Sequence, residues 1–417
     1  MAKLKVRHVG PIREGYKENN GFISFDGVTV FIGDQGSGKS TMAKLFASLA
    51  WLEKSLVRGD QTPNWYQVHT NARFVKGLLS YQNLHNYLSA QSYLEYRGDA
   101  FNIKYDGGTL YIEKATVGVD YHLPKIMYVP AERNFLSSVD QPEKAKRLPS
   151  PLYTFLDEYD KARNDLTGKV DLPIGNLKFD YRKRNKKTYI VGDDYEVNLL
   201  EASSGMQSLT PLYIVTKYLA ENLDSLNKAG RKEQSLEEEE KISEEVRRIM
   251  NNKNLSEAVR EAALEQLSRR TSYGNFYNIV EEPEQNLYPA SQKKVLNELL
   301  RFKNLREKDQ LVMTTHSPYL INYLTHAVKA WQVQVKIEAK ANEEQKQKAL
   351  AALKKIVPVK SALNPDQLQV FELDGDGNIT KLGDYKGMPS DKNTLNEFLG
   401  ESNDKFIDLL DLEDQWR

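Results

Sequence analysis

The residues best suited to chemistry are Gly33, Asp34, Gln35, Gly36, Ser37, Gly38, Lys39, Ser40 and Thr41, which spell G-x-x-x-x-G-K-S-T. The apolar run Val28 to Ile32 precedes them and a helical pattern follows, the context of a phosphate-binding P-loop. The glycines let the backbone wrap a phosphate, so that consecutive N–H groups and the helix N-terminus face the negative charge. In such a loop Lys39 would reach the β- and γ-phosphates of ATP, and Ser40 would hold Mg²⁺.

Two further groups follow apolar strand patterns. Ile279-Val280 delivers Glu281 and Glu282 ahead of Pro283, at the end of a strand where nucleotides bind in α/β sheets. In that place Glu281 would bind the metal or its waters, and Glu282 would act as general base toward the attacking water. Gln310 to Thr314 leads to Thr315-His316-Ser317-Pro318. A neutral imidazole at His316 would bond the γ-phosphate or the attacking water and so sense the third phosphate. Between these groups lies Ser203-Ser204-Gly205-Met206-Gln207, just before an apolar-periodic helix reaching about Leu223.

The elements that must carry these residues can be read in outline. Residues 3–32 predict an antiparallel β ribbon at an edge, turning at Asp26-Gly27 into the strand that feeds the P-loop. Thr62 to about Gln91 reads as mixed and helical. Phe101–Tyr105 and Thr109–Ile112 flank Asp106-Gly107-Gly108 as a hairpin. A second hairpin, Leu177 to Val191, has the basic tip Arg182-Lys183-Arg184-Asn185-Lys186-Lys187, which is either a phosphate-binding element or a solvated turn. Residues 224–270 are rich in Glu, Lys and Arg and predict a charged helical hairpin. This divides the chain into 1–223 with P-loop and Ser203–Gln207 loop, 224–270 as the insertion, and 271–417 with paired acids, His316 and tail. The tail predicts a strand at Leu368–Leu373, a tight turn at Asp374–Asn378 and a helix from about Lys392 to Asp411.

The totals narrow the classes. The 417 residues hold 58 Lys plus Arg against 58 Asp plus Glu, so any contact with nucleic acid must come from a local patch. The absence of cysteine excludes a disulfide framework, a cysteine zinc site and a thiol nucleophile. With no apolar leader at the N-terminus and no membrane-length apolar run, the sequence predicts a cytoplasmic protein.

Taken in order, the P-loop, Ser203–Gln207, Glu281-Glu282-Pro283-Glu284-Gln285-Asn286-Leu287-Tyr288 and His316 resemble the motifs of the ABC ATPase superfamily. There Ser203–Gln207 falls on the signature loop Leu-Ser-Gly-Gly-Gln, from which Met206 departs, and Tyr288 departs from the paired-acid pattern. The variants Glu-Glu-Pro-Glu, Thr-His-Ser-Pro-Tyr and Pro-Ala-Glu-Arg-Asn resemble the branch of OLD-family and RecF-like ATPases. More narrowly, the chain resembles the AriA family, the ATPase subunits of phage anti-restriction-induced defence systems (PARIS).

The resemblance implies an ABC-type P-loop α/β fold with a mixed central sheet, and two nucleotides shared between two copies, so that Ser203, Ser204, Gly205 and Gln207 act on the ATP of a partner. It implies a homo-oligomer, a hexamer being one form. It also implies a separate TOPRIM-type nuclease held by that oligomer and released when a phage anti-restriction protein that mimics DNA is sensed. A RecF- or SMC-like DNA-repair ATPase is the alternative, with the insertion and the basic tip on duplex DNA. Arg133, in Pro130-Ala131-Glu132-Arg133-Asn134, stands where the superfamily's Q-loop contacts the nucleotide, unless it is a structural ion-pair residue.

Overall fold

The computed structural model describes residues 2–116, 121–140, 142–144, 147–223, 225–227 and 272–414, with 248, 250, 252, 257 and 260. The charged helical hairpin predicted over 224–270 therefore lies almost wholly outside the described residues.

The chain opens with β1 (Ala2–Val9), β2 (Gly15–Tyr16), β3 (Ile23–Phe25) and β4 (Val28–Gly33), then α1 (Lys39–Arg58) and α2 (Pro63–Val68). Next come β5 (Leu88–Arg97), β6 (Phe101–Asp106), β7 (Thr109–Lys114) and β8 (Leu123–Val129). The short α3 (Phe135–Ser138) and α4 (Ser150–Asp165) precede β9 (Val170–Asp171), β10 (Lys178–Arg182), β11 (Lys187–Val191) and β12 (Glu196–Asn198). After α5 (Ser204–Glu221) follow β13 (Tyr273–Glu281), α6 (Pro289–Lys303), β14 (Gln310–Thr314), α7 (Pro318–Lys340) and α8 (Glu343–Ile356). The tail supplies β15 (Leu368–Leu373), β16 (Asn378–Lys381), β17 (Asp384–Tyr385), β18 (Met388–Pro389) and α9 (Thr394–Asp414).

A seven-stranded mixed sheet, ordered β2-β16-β15-β4-β14-β13-β8, is the centre of the molecule. Its five strands from β15 to β8 run parallel, and β16 is antiparallel to β15. All six residues of β4 are buried, as are all five of β14, the signature of strands covered on both faces. Alternation along β4 divides the core: Val28, Val30 and Ile32 join the cluster built with α4 to α7, whereas Phe31 joins the cluster on the other face with α1. On α1 the buried Met42, Phe46, Leu49 and Leu56 recur at helical spacing, and Phe46 stacks on Phe25 with ring centroids 3.9 Å apart.

The N-terminal ribbon is larger than expected. β1 pairs with β3 on one side and β5 on the other, so it lies inside a five-stranded antiparallel sheet, β3-β1-β5-β6-β7, rather than at an edge. The helical expectation for Thr62 to Gln91 holds only to Leu79, where α2 is followed by a π-helical segment, Thr70–Leu79. From Leu88 the chain is a strand because Tyr96, Leu94 and Ser92 alternate into the core against β1. The β6–β7 and β10–β11 hairpins, β15 and the Asp374–Asn378 turn agree with the sequence pattern. α4 and α7 come in addition to the elements it predicts.

Candidate functional site

Parallel pairing fixes where the chemistry gathers. In register Thr314 faces both Phe31 of β4 and Glu281 of β13, so the C-terminal ends of the three strands deliver Gly33, Glu282 and Thr315-His316 to one edge. This is the edge at which α/β sheets bind ligands.

The P-loop leaves β4 with φ of 133°, 79° and 110° at Gly33, Gly36 and Gly38, conformations that L side chains rarely adopt. At Gly33 a Cβ would fall 2.1 Å from the Leu373 carbonyl oxygen, so the loop is closed against β15. Gly38 caps α1 in the left-handed region and turns the first N–H groups of the helix toward the loop. The Lys39 side chain folds back inside: Nζ donates to the carbonyls of Gly33 at 2.8 Å and Asp34 at 2.6 Å. Burial lowers its pKa to about 8 against the pull of Glu282, Asp34 and Glu284. Asp34, Gln35 and Gly36 are exposed, Ser40 is half-buried, and Thr41 is buried.

Beside this cradle stands the acid loop. Glu281 is buried; its Oε2 accepts the Ala131 N–H at 3.2 Å, while Oε1 makes no hydrogen bond of normal geometry. Glu282 has φ of 44°, uncommon for a residue with a Cβ, and its carboxylate lies 3.8 Å from His316 Nε2. That strained backbone is held from two sides. Its N–H donates to the Thr314 carbonyl at 2.9 Å, and its carbonyl accepts from Arg133 Nη2 at 2.6 Å.

Arg133 is wholly buried and does not reach into the open site. It also donates to the carbonyls of Glu281 at 2.6 Å and Ser208 at 3.2 Å, tying the acid loop to α5. Its partners are backbone carbonyls, not the carboxylate of a structural ion pair. Burial pulls its pKa down to about 10 while four nearby Glu carboxylates oppose this, so it is a cation at neutral pH.

Glu284 is the residue that sequence reasoning missed. Its Oε1 accepts both the His316 N–H and the Thr315 hydroxyl at 2.8 Å, so it fixes the loop that presents the imidazole. Burial raises its pKa, with those donors opposing. The third position after Glu281 in Glu-Glu-Pro-Glu was its sequence signal, but only the β13–β14 pairing shows what it grips. Burial and the Lys39 ammonium lower the pKa of His316, which favours the neutral imidazole.

Ser203 to Gln207 makes no hydrogen bond to the P-loop among the described residues, and the next residue, Ser208, donates its hydroxyl to Gln285 Oε1 at 2.8 Å. Ser203 is the N-cap of α5, yet its side chain makes no capping bond, and Ser203 and Ser204 are exposed. Gly205 is close-packed: a Cβ there would meet the Asn286 carbonyl at 2.7 Å. Gln207 is turned inward, donating to the Leu199 and Leu200 carbonyls at 3.3 and 2.9 Å.

The residues fit a bound Mg²⁺ and a polyphosphate. Glu281 Oε1 and Ser37 Oγ are buried polar atoms that complete no hydrogen bond of normal geometry, and the backbone from Gly33 to Gly38 takes a course, with three glycines at positive φ, that side chains would obstruct at Gly33 and Gly38. Ser40 and Glu281 are the residues that would hold Mg²⁺, which would neutralise charge on the phosphate oxygens when bound.

Residues 279–322, from β13 through His316, match the model of a family described as AAA domain, putative AbiEii toxin, Type IV TA system. The chain carries a P-loop ATPase site. No curated protein sequence matches it. Among solved structures it is similar to the SMC head domain from Thermotoga maritima, at 12% identity and a TM-score of 0.32 over 77% of this chain and 90% of that one. It is also similar to the dimeric ATP-binding cassette MJ0796 in a post-hydrolysis state bound to ADP and Pi, at 12% identity and a TM-score of 0.29 over 92% and 100%. No helix among the described residues is long and apolar enough to cross a membrane.

Proposed function

We propose that this chain is the ATP-switched scaffold of a defence system, an ATPase whose site is completed by a second copy of itself. The supporting observation is the split between the two halves of the chemistry. Gly33 to Thr41, Glu281, Glu282 and His316 meet at one sheet edge, while Ser203 and Ser204 are exposed at the uncapped start of α5 and the segment makes no hydrogen bond to the P-loop among the described residues. A loop of that kind serves a phosphate on another molecule. Glu282 orients and deprotonates the attacking water, Glu281 and Ser40 hold Mg²⁺, Lys39 binds the β- and γ-phosphates, and His316 reads the γ-phosphate.

In this reading ATP occupancy holds the copies together. Arg133 carries the state of the acid loop to α5, because one guanidinium grips carbonyls of both. The oligomer, a hexamer being one form, then holds a separate TOPRIM-type nuclease and releases it when a DNA-mimicking anti-restriction protein of a phage binds. That part rests on the resemblance to AriA-type ATPases, and the match of residues 279–322 to a family described as a toxin–antitoxin component is compatible with it.

The test has two arms. Glu282→Gln with ATP and Mg²⁺ should run as a larger species than Lys39→Ala on size-exclusion chromatography with light scattering. Equal size in the two variants would overturn the shared site. Purified together with its neighbouring gene products, the chain should retain a nuclease subunit. Its loss, combined with ATP-dependent duplex DNA binding that falls steeply with salt, would replace the sensor by a RecF- or SMC-like repair ATPase.

A further inference from the structure

Away from the P-loop, α3, α4, the β10–β11 turn and the segment Asn198 to Leu200 enclose a cavity of about 380 Å³, the size of a small-ligand pocket. Among the described residues Lys144, Arg163, Lys186 and Lys187 line it against one carboxylate, Asp140. The guanidinium of Arg163 is held by Asp160 at 2.6 Å, and the three lysines are exposed residues at the cavity's rim. The Nε of Arg163 is buried and makes no hydrogen bond.

Beneath the cations lies a set of hydroxyls. Ser137, Tyr159 and Thr188 all line the cavity, with exposures of 2%, 1% and 7%. The hydroxyls of Tyr159 and Thr188 are paired with each other, which uses one of their two O–H donors, and the Ser137 hydroxyl completes no hydrogen bond of normal geometry. Buried donors left this way are a cost in free energy unless something in the cavity accepts from them. Hydroxyl donors below and ammonium groups above suit a group with several acceptor oxygens and negative charge.

We infer that this cavity binds the phosphate group of a small phosphorylated ligand, at a site separate from the P-loop. It gives a role to part of the basic tip: Arg182 is taken up by Asp180 and Glu196 at 3.2 and 2.6 Å, whereas Lys186 and Lys187 face the cavity. The cavity wall is also joined to α5, since Leu199 and Leu200 accept from Gln207, which in turn accepts from Ser138 of α3.

The experiment uses the full chain with Lys39→Ala, so that the P-loop does not compete, and measures binding of labelled inorganic phosphate and of AMP by equilibrium dialysis. One equivalent of phosphate should bind. Thr188→Val, which keeps the shape and removes the hydroxyl, and separately Lys187→Gln should each weaken it by about tenfold, with the thermal midpoint of the unliganded chain unchanged in Lys187→Gln. Three results would overturn the site: no phosphate bound in the Lys39→Ala chain, undiminished binding in both cavity variants, or binding of heparin or duplex DNA at these residues with none of phosphate. Thr188→Val serves as the decisive variant if loss of a lysine alters folding.

Discussion

Glu53 on α1 and the acids after β13 are both carboxylates carried into the interior, and they are treated in opposite ways. Glu53 lies roughly 20 Å along α1 from Lys39. Its Oε1 accepts the N–H groups of Ala100 and Phe101 at 2.7 and 3.1 Å, and its Oε2 accepts the Tyr96 hydroxyl at 2.7 Å. Gly98 is kept bare beneath it, since a Cβ would fall 2.1 Å from Oε1. Every oxygen is answered, and the group pins the P-loop helix to the five-stranded sheet. Glu281 and Glu284, by contrast, each keep one buried oxygen that completes no hydrogen bond of normal geometry, although the Tyr128 hydroxyl lies beside Glu281, and Glu282 sits on a strained backbone. One region is finished without a ligand; the other is finished by one.

The contrast can be broken most sharply at Glu282. Glu282→Gln should lower ATP turnover by about 10²–10⁴, the usual worth of a general base, with nucleotide binding and the thermal midpoint retained. Phosphate-release kinetics check this, and unchanged turnover would remove Glu282 from the chemistry. Glu53→Leu keeps the volume and orphans three donors, so it should cost on the order of 3 kcal/mol or more in urea unfolding while turnover per folded molecule stays within about twofold. Glu281→Gln should do the reverse: stability stays level or rises slightly because an uncompensated carboxylate is gone, and the Mg²⁺ requirement for turnover rises.

The smallest effect concerns pH. The folded pKa of His316 lies below its ordinary value of 6.5, so the unfolded chain takes up a proton first on acidification. The thermal midpoint of the parent should therefore fall relative to His316→Gln as pH drops through 6.5. A constant difference across that range would mean that the imidazole is not held neutral.

Much of this was legible in the sequence because the motifs bring their own context: strand, glycine loop, helix for residues 28–49, and apolar strand, polar end for Val280-Glu281 and Thr314-Thr315. What was hidden depends on pairing between distant strands. Glu284 acquires its function only when β14 brings Thr315 and His316 beside it. Arg133 reads equally well as a nucleotide contact until the fold closes α5 over it. β5 was hidden for another reason: Ser89, Ala90 and Gln91 are all exposed, so the first part of the strand lacks alternation.

The position of Lys39 has a thermodynamic consequence. Without nucleotide its ammonium occupies the loop's own carbonyls and holds a proton weakly, with a pKa of about 8. Polyphosphate entering the loop supplies negative charge that raises that pKa, so near pH 8 binding must draw protons from solution. Calorimetric titration of the full chain with ATP in buffers of different ionisation heat should give binding enthalpies that diverge at pH 8 and converge toward pH 7. The nucleotide thus arrives with a proton, and the loop counts both.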